Sequence, residues 1–288
     1  MIAVFRRELN GYFKSVTGYL LAALLLIFAG IYCMAYNLSG YYANFEYVLE
    51  SISFIFLIAV PIISMRTLAE EKHSKTDQLL YSLPLSMPCV IIGKYLAMLV
   101  VLALPVGIMA LYPLVLSQFG SVSFPTAYAA LVAFFLMGGC LLSVGLFISS
   151  VTESQIASAV ITLVAMLLLY FMNGLASFVS TESISSLIAL GILVVIFTVL
   201  LYVMAKNALI SIVTAVIGIG ALMLWYQADS AAFSGLFGNM MSSISVFDRL
   251  DTFVDGVFDL TAVVYWISIS CVFVFLSVQA MEKRRWSE

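Results

Sequence analysis

Charge is what this 288-residue chain has least of: 9% of its residues are Asp, Glu, Lys or Arg and 64% are hydrophobic, against about 25% and 45–50% in soluble domains. An ordinary soluble domain is excluded, and the chain reads as an integral membrane protein. Histidine is nearly absent. With His73 alone, His-based metal sites and Ser-His-Asp chemistry have no material to work with. The four cysteines, Cys33, Cys89, Cys140 and Cys271, stand far apart and mostly inside apolar stretches, so neither a disulfide framework nor a CxxC metal site is readable. A net charge of −3 and no basic stripe interleaved with aromatics argue against nucleic acid as a partner. A Walker A loop is missing too: the Gly93-Lys94 pair runs into Tyr95, and Pro88 stands where the first glycine belongs. Without that phosphate cradle the chain is expected to bind no ATP and to carry no cofactor of its own.

What is present is a succession of apolar stretches. At 1.5 Å per residue, about 20 apolar residues cross roughly 30 Å of hydrocarbon. Eight stretches qualify or nearly so, at about 19–38, 47–65, 95–116, 128–148, 156–171, 187–205, 209–226 and 261–281, which predicts an all-α, polytopic membrane helix bundle with the lipid bilayer as its surroundings. The first stretch follows Arg6 and Arg7 but is too long for a signal-peptide core and lacks a small-residue cleavage site, so it is read as a retained span. Ahead of it, Ile2, Phe5, Leu9, Tyr12 and Phe13 oppose Arg6, Arg7, Glu8, Asn10 and Lys14, the pattern of an interfacial helix over residues 1–18. Pro105 and Pro113 predict a kink in the third span. In the fourth, Gly138, Gly139, Ser143 and Gly145 predict close helix packing. Asn37-Leu38-Ser39 fits a glycosylation sequon, read as a chance occurrence.

One sizeable polar island interrupts this pattern, from Glu70 to Gln78, between the second and third spans. Ser74 and Asp77 fit a capping box, so a short helix is expected from about Lys75 to Leu83, ended by Pro84, with Leu79, Leu80 and Leu83 on one face. A second mixed segment, 227–260, repeats Met240, Ile244, Phe247, Leu250, Phe253, Val254 and Val257 at steps of three and four, which predicts an amphipathic helix on the membrane surface. With the N-terminus inside, eleven of the twelve basic residues fall on inner segments and only Arg249 falls outside, as the positive-inside rule expects. The N- and C-termini and the polar island are then cytoplasmic, and 227–260 is extracytoplasmic. Apart from Glu50 near the outer start of the second, no Asp, Glu, Lys, Arg or His falls within the eight spans as drawn, which disfavours coupling to an ion gradient. Energy for any transport is expected from a partner or another domain.

The stretch MRTLAEEKHSKTDQLLYSLPLSMPCVIIGKYLA resembles the coupling region of ABC-2 type exporter permeases, especially the gliding-motility and copper-processing type. Pro61, Met65, Arg66, Ala69, Glu70, Glu71, Thr76, Leu79 or Leu80, Pro84, Gly93 and Lys94 match the family pattern. RRELNGYFKSVTGYL resembles the family's elbow helix, GLFISSVTESQIAS its connection between spans, and FDRLDTFVDGVFDLTAVVYW with the terminal EKRRW its outer segment and tail. Two features depart from the pattern. Lys75 stands where the family usually has Gly, and Gln78 where it usually has Glu. The family core usually has six spans, so the hairpin at about 187–226 looks like an addition.

The resemblance implies a single transmembrane permease domain over 1–288, of the type V exporter-like fold, with an elbow helix at 1–18 and a coupling region at 66–94. It implies a plasma-membrane, multi-pass subunit that is no enzyme itself. Its partners would be an ABC ATPase subunit, which binds ATP-Mg, and a second permease protomer. Arg66, Glu70, Glu71, Lys72, Lys75, Thr76, Gln78, Leu79 and Leu80 would form the surface that docks on the ATPase. A second reading shares every coupling feature: a complex that transmits force or signal without moving a substrate, its outer segment engaging an extracytoplasmic partner protein. A membrane-embedded enzyme is disfavoured by the lack of clustered intramembrane acids, His or metal ligands.

Overall fold

The computed structural model describes residues 1–75, 86–205 and 208–287. Among these the chain is all-helical. Five helices are long and apolar enough to cross a membrane, and up to seven if each of two bent pairs is one span. The five are Val16–Ser39, Glu46–His73, Met87–Leu116, Phe124–Val151 and Leu260–Arg284, answering to the first four and the last of the eight expected spans. The fifth, sixth and seventh are helical but do not pass singly. The chain divides into two compact units, residues 1–170 with 246–288, and residues 171–245.

In the first unit α1 (Ile2–Lys14) is the amphipathic helix expected, ended at Ser15 by extended backbone. Its buried residues are Val4 and Tyr12, whereas Ile2 of the expected stripe is exposed. The cause is the helix it crosses: a Cβ on Gly93 would stand 3.3 Å from Met1 O and 3.4 Å from Phe5 N, so the missing side chain lets the α1 backbone lie against the third span. Then come α2 (Val16–Cys33), a π-helical turn (Met34–Ser39), α3 (Glu46–Ile52), α4 (Phe56–Ser64) and α5 (Ala69–His73). The buried Asn37 amide donates to Tyr42 O at 2.7 Å and Asn44 O at 3.1 Å, so the sequon nitrogen is spent on holding the loop.

The third span begins earlier than the apolar run suggested. Helix α6 (Met87–Met109) starts with Pro88 in its first turn, where a missing N–H costs nothing, and it carries Lys94 inside the helix with 0% exposure. The expectation of no charge within the spans is thereby corrected for Lys94, and the physical reason is the set of partners described below. The expected break falls between α6 and α7 (Tyr112–Leu116), because Pro113 cannot donate to Met109 O.

Helix α8 (Phe124–Val151) runs through the middle of this unit, packed by α4, α6, α9 (Gln155–Tyr170) and α15 (Leu260–Ser287). With lipid as apolar as leucine, such packing depends on close approach. A Cβ on Gly138 would stand 2.7 Å from both Leu102 and Phe56, and one on Gly145 2.7 Å from Ser64. Phe56 and Phe134 fill the space beside them, with centroids 4.8 Å apart.

The second unit holds α10 (Met172–Phe178), α11 (Ser183–Ala205), α12 (Ala208–Ala228) and α13 (Leu236–Ile244). The extra hairpin read from the sequence is α11 on α12, which approach closely where Gly218 meets Val194; its turn at Lys206 and Asn207 lies outside the described residues. The segment 227–260 is not one amphipathic helix. Ser245 leaves helical geometry at ψ 124, and a 3-10 turn (Asp248–Leu250) and α14 (Asp251–Val254) follow. Phe247, Leu250, Phe253 and Val254 are buried in the first unit, where Phe253 stacks on Trp266. Met240, Ile244 and Val257, from the same sequence pattern, stay exposed.

Candidate functional site

The polar island joins the second span at a break in the helix, and the break is where side chains converge. Between α4 and α5 the residues Met65–Leu68 form turns, and Leu68 departs from helical geometry at φ −126. The N–H groups of Leu68 and Ala69 donate instead to the buried Ser149 hydroxyl on α8, at 3.2 and 3.0 Å. A side chain inserted into the ladder is a standard cause of a helix joint. The Thr67 hydroxyl donates back to Ile63 O at 3.2 Å and shares a hydrogen bond of 3.1 Å with the buried Tyr12 hydroxyl of α1. Burial pushes the Tyr12 phenol well above its ordinary range.

Lys94 closes the joint from the third span. Its ammonium donates to Thr67 O at 2.8 Å and pairs with Glu71 Oε2 at 3.0 Å and Glu8 Oε1 at 3.2 Å. One hydrogen bond to a carbonyl thus combines with two ion pairs around a single ammonium. Arg7 completes the square, 2.7 Å from Glu71 Oε1 and 2.8 Å from Glu8 Oε1. Two cations and two carboxylates balance, which offsets the cost of taking these groups out of water. Burial pushes the Glu8 carboxyl upward, but Lys94 and Arg7 outweigh it and hold the group below its usual range.

Lys72 belongs to the same construction. It is buried, and its ammonium donates to Ser150 O and, at 3.4 Å, to Thr152 O, where the end of α8 leaves carbonyls without helical partners. Arg66 donates to Glu70 at 2.9 Å, one turn on, and to the Thr17 hydroxyl at the start of α2. A polar cavity of about 300 Å³ lies between α1 and this segment, lined by Arg7, Glu8, Tyr12, Arg66, Glu70 and Glu71 among others.

Of the docking residues expected from the resemblance, the structure therefore brings Arg66, Glu70, Glu71 and Lys72 together and gives them different surroundings. Glu71 and Lys72 face inward. The Glu70 side chain is 44% exposed, and His73 and Lys75 are exposed. Lys75 has φ 56, left-handed backbone that glycine adopts freely and other residues at some cost; it cannot open the expected helix as that reading had it. Thr76, Gln78, Leu79 and Leu80, with the rest of that helix, lie outside the described residues. Sequence reasoning missed Glu8, Arg7, Tyr12, Thr67 and Ser149 as members of this site. The signal for the first was the Gly93-Lys94 pair, where a glycine admits a neighbouring backbone and the next residue brings a charge that needs an acid beside it. No group of three or more His, Cys, Asp or Glu among the described residues could hold a metal ion. Compared with protein-family models, curated proteins and solved structures, the chain matches none.

Proposed function

We propose that the chain is the membrane-spanning permease subunit of an ABC-2 type transporter, an exporter, worked by a separate ATPase subunit that docks on the polar segment after the second span. What supports the reading is the family motif over Met65–Lys94 together with one geometric observation, the clamp at Thr67–Ala69. A cytoplasmic push has to reach the bilayer through the joint between α4 and α5. That joint is tied to α1 by Tyr12, to α6 by Lys94 and to α8 by Ser149. A displacement of α5 then moves the three helices around it as a body rather than flexing one loop.

In this reading the residues divide their work. Glu71 and Lys72 bind the segment to its own chain, while Glu70, His73 and Lys75 face the ATPase. The partner holds ATP-Mg, and a second permease protomer completes the pathway. The test is affinity purification of the tagged full-length chain from its native membrane. An ATP-hydrolysing subunit is expected to come with it, and Glu70→Lys is expected to cut its retention about tenfold, equivalent to about 1.4 kcal/mol, with the thermal midpoint of the chain unchanged. Purification without any ATPase, or full retention by Glu70→Lys, overturns the proposal.

A further inference from the structure

A groove in the first unit lies away from the clamp, between α6, α8 and α15, with a volume of about 670 Å³. All three walls belong to helices long and apolar enough to cross a membrane, so hydrocarbon is the medium that fills it. Gly139 lets α6 approach the α8 wall closely; a Cβ there would stand 2.9 Å from Leu99. Polar atoms along the walls are already paired: the Tyr95 hydroxyl donates to Gly139 O at 3.1 Å, and the Ser270 hydroxyl to Trp266 O at 2.8 Å. The middle of the groove therefore offers nothing but apolar contact.

One end differs. There Gln279 and Glu282 line the groove beside Pro88 in the first turn of α6, and no Lys or Arg lines it among the described residues. A carboxylate at the mouth of an apolar groove favours a cation that brings its own apolar chain. Along α15, Trp266 and Glu282 are about 24 Å apart at 1.5 Å per residue, more than the roughly 15 Å of hydrocarbon in one leaflet. A lipid acyl chain anchored at Glu282 fits within that length.

From this we infer that the groove is a binding site for one phospholipid with a primary ammonium headgroup, its chain against Leu99, Gly139 and Cys271 and its ammonium at Glu282 and Gln279. Phosphatidylethanolamine is the lipid of that chemistry. The inference rests on the membrane-crossing character of α6, α8 and α15 and is independent of the ATPase, so its failure leaves the permease proposal where it stands.

The experiment is native mass spectrometry of the full chain in micelles with equal amounts of phosphatidylethanolamine, phosphatidylcholine and phosphatidylglycerol of the same acyl chains. One retained phosphatidylethanolamine per chain is expected, favoured over each of the others by roughly fivefold, the size of a partly exposed ion pair. Glu282→Gln, on a half-exposed residue, is expected to level the three headgroups. Cys271→Trp, on an exposed face of α15, is expected to reduce retention of all of them by filling the groove. Equal retention of the three lipids by the unaltered chain, a preference that survives Glu282→Gln, or retention untouched by Cys271→Trp would each overturn the inference.

Discussion

The Lys94 ammonium lies 3.0 Å from the Glu71 carboxylate with no exposure to solvent, joining the third span to the polar end of the second. Glu8 of α1 shares the same ammonium at 3.2 Å. Three segments distant in sequence are thereby fixed to one charge. That arrangement ties the polar end of the second span to two other helices.

Lys94→Met should be severely destabilising. It removes the ammonium and leaves two largely buried carboxylates with only the more exposed Arg7 between them, and breaking such a site costs about 3–5 kcal/mol. Adding Glu8→Gln and Glu71→Gln to Lys94→Met should recover most of the loss, because the repulsion and the uncompensated charge go together. Thermal unfolding of the single and the triple variant in detergent checks both statements.

Ser149→Ala should open the joint without touching a charge. Two backbone donors, those of Leu68 and Ala69, lose their acceptor, at about 1–3 kcal/mol for buried groups left unpaired. Hydrogen exchange should quicken at these two amides and remain unchanged in the centre of α8.

Glycine substitutions should separate close packing from mere helix propensity. Gly145→Val places its Cβ against Ser64, which stands 2.7 Å away, and should cost about 1–3 kcal/mol as an overpacked contact. Gly107→Ala, with nothing within 4 Å, should be neutral or slightly stabilising, since alanine is the better helix former by about 0.5–1 kcal/mol. Unfolding midpoints in the same detergent make the comparison.

Two carboxyl groups should give pH dependences of opposite sign. Glu8 is held below its ordinary range in the folded chain, so its contribution is complete above the unfolded value and is lost as pH falls through the folded one. Asp251 is the reverse. Partial burial, with Glu50, Asp248 and Asp255 adding like charge, pushes it from 3.8 up to about 6, so the folded chain holds this proton more tightly and its contribution is lost as pH rises from about 4 to 6. The carboxylate lies on an exposed position, where solvent screening keeps the effect small. Midpoints measured from pH 3 to 7 should show Asp251→Asn removing the decline towards pH 6, and Glu8→Gln weakening the decline in acid.

The spans that apolar runs located well are those whose environment is uniform, such as 128–148 within Phe124–Val151 and 261–281 within Leu260–Arg284. The third span began at Tyr95 in the sequence and at Met87 in the structure, because a lysine ends an apolar run whether or not the fold supplies it with partners. Those partners, Glu8 and Glu71, come from other elements, and no local pattern contains them. Periodicity misled at 227–260 for a related reason: steps of three and four continue through Ser245, but Phe247 and Val254 are buried in a different compact unit from the one that holds Met240. The close approach expected on α8 was legible from its small residues. That Gly138 and Gly145 make the tightest contacts depended on Phe56 and Ser64 lying opposite.

The claim on which the account turns is that α5 faces the cytoplasm and is held by an ATPase there. His73 is exposed at the end of α5, which makes His73→Cys, in a chain lacking its four native cysteines, the most direct probe. A membrane-impermeant maleimide should label it from the cytoplasmic side of inverted vesicles only, and the co-expressed ATPase subunit should protect it. Labelling from the opposite side, or labelling that the ATPase leaves unchanged, would contradict the account.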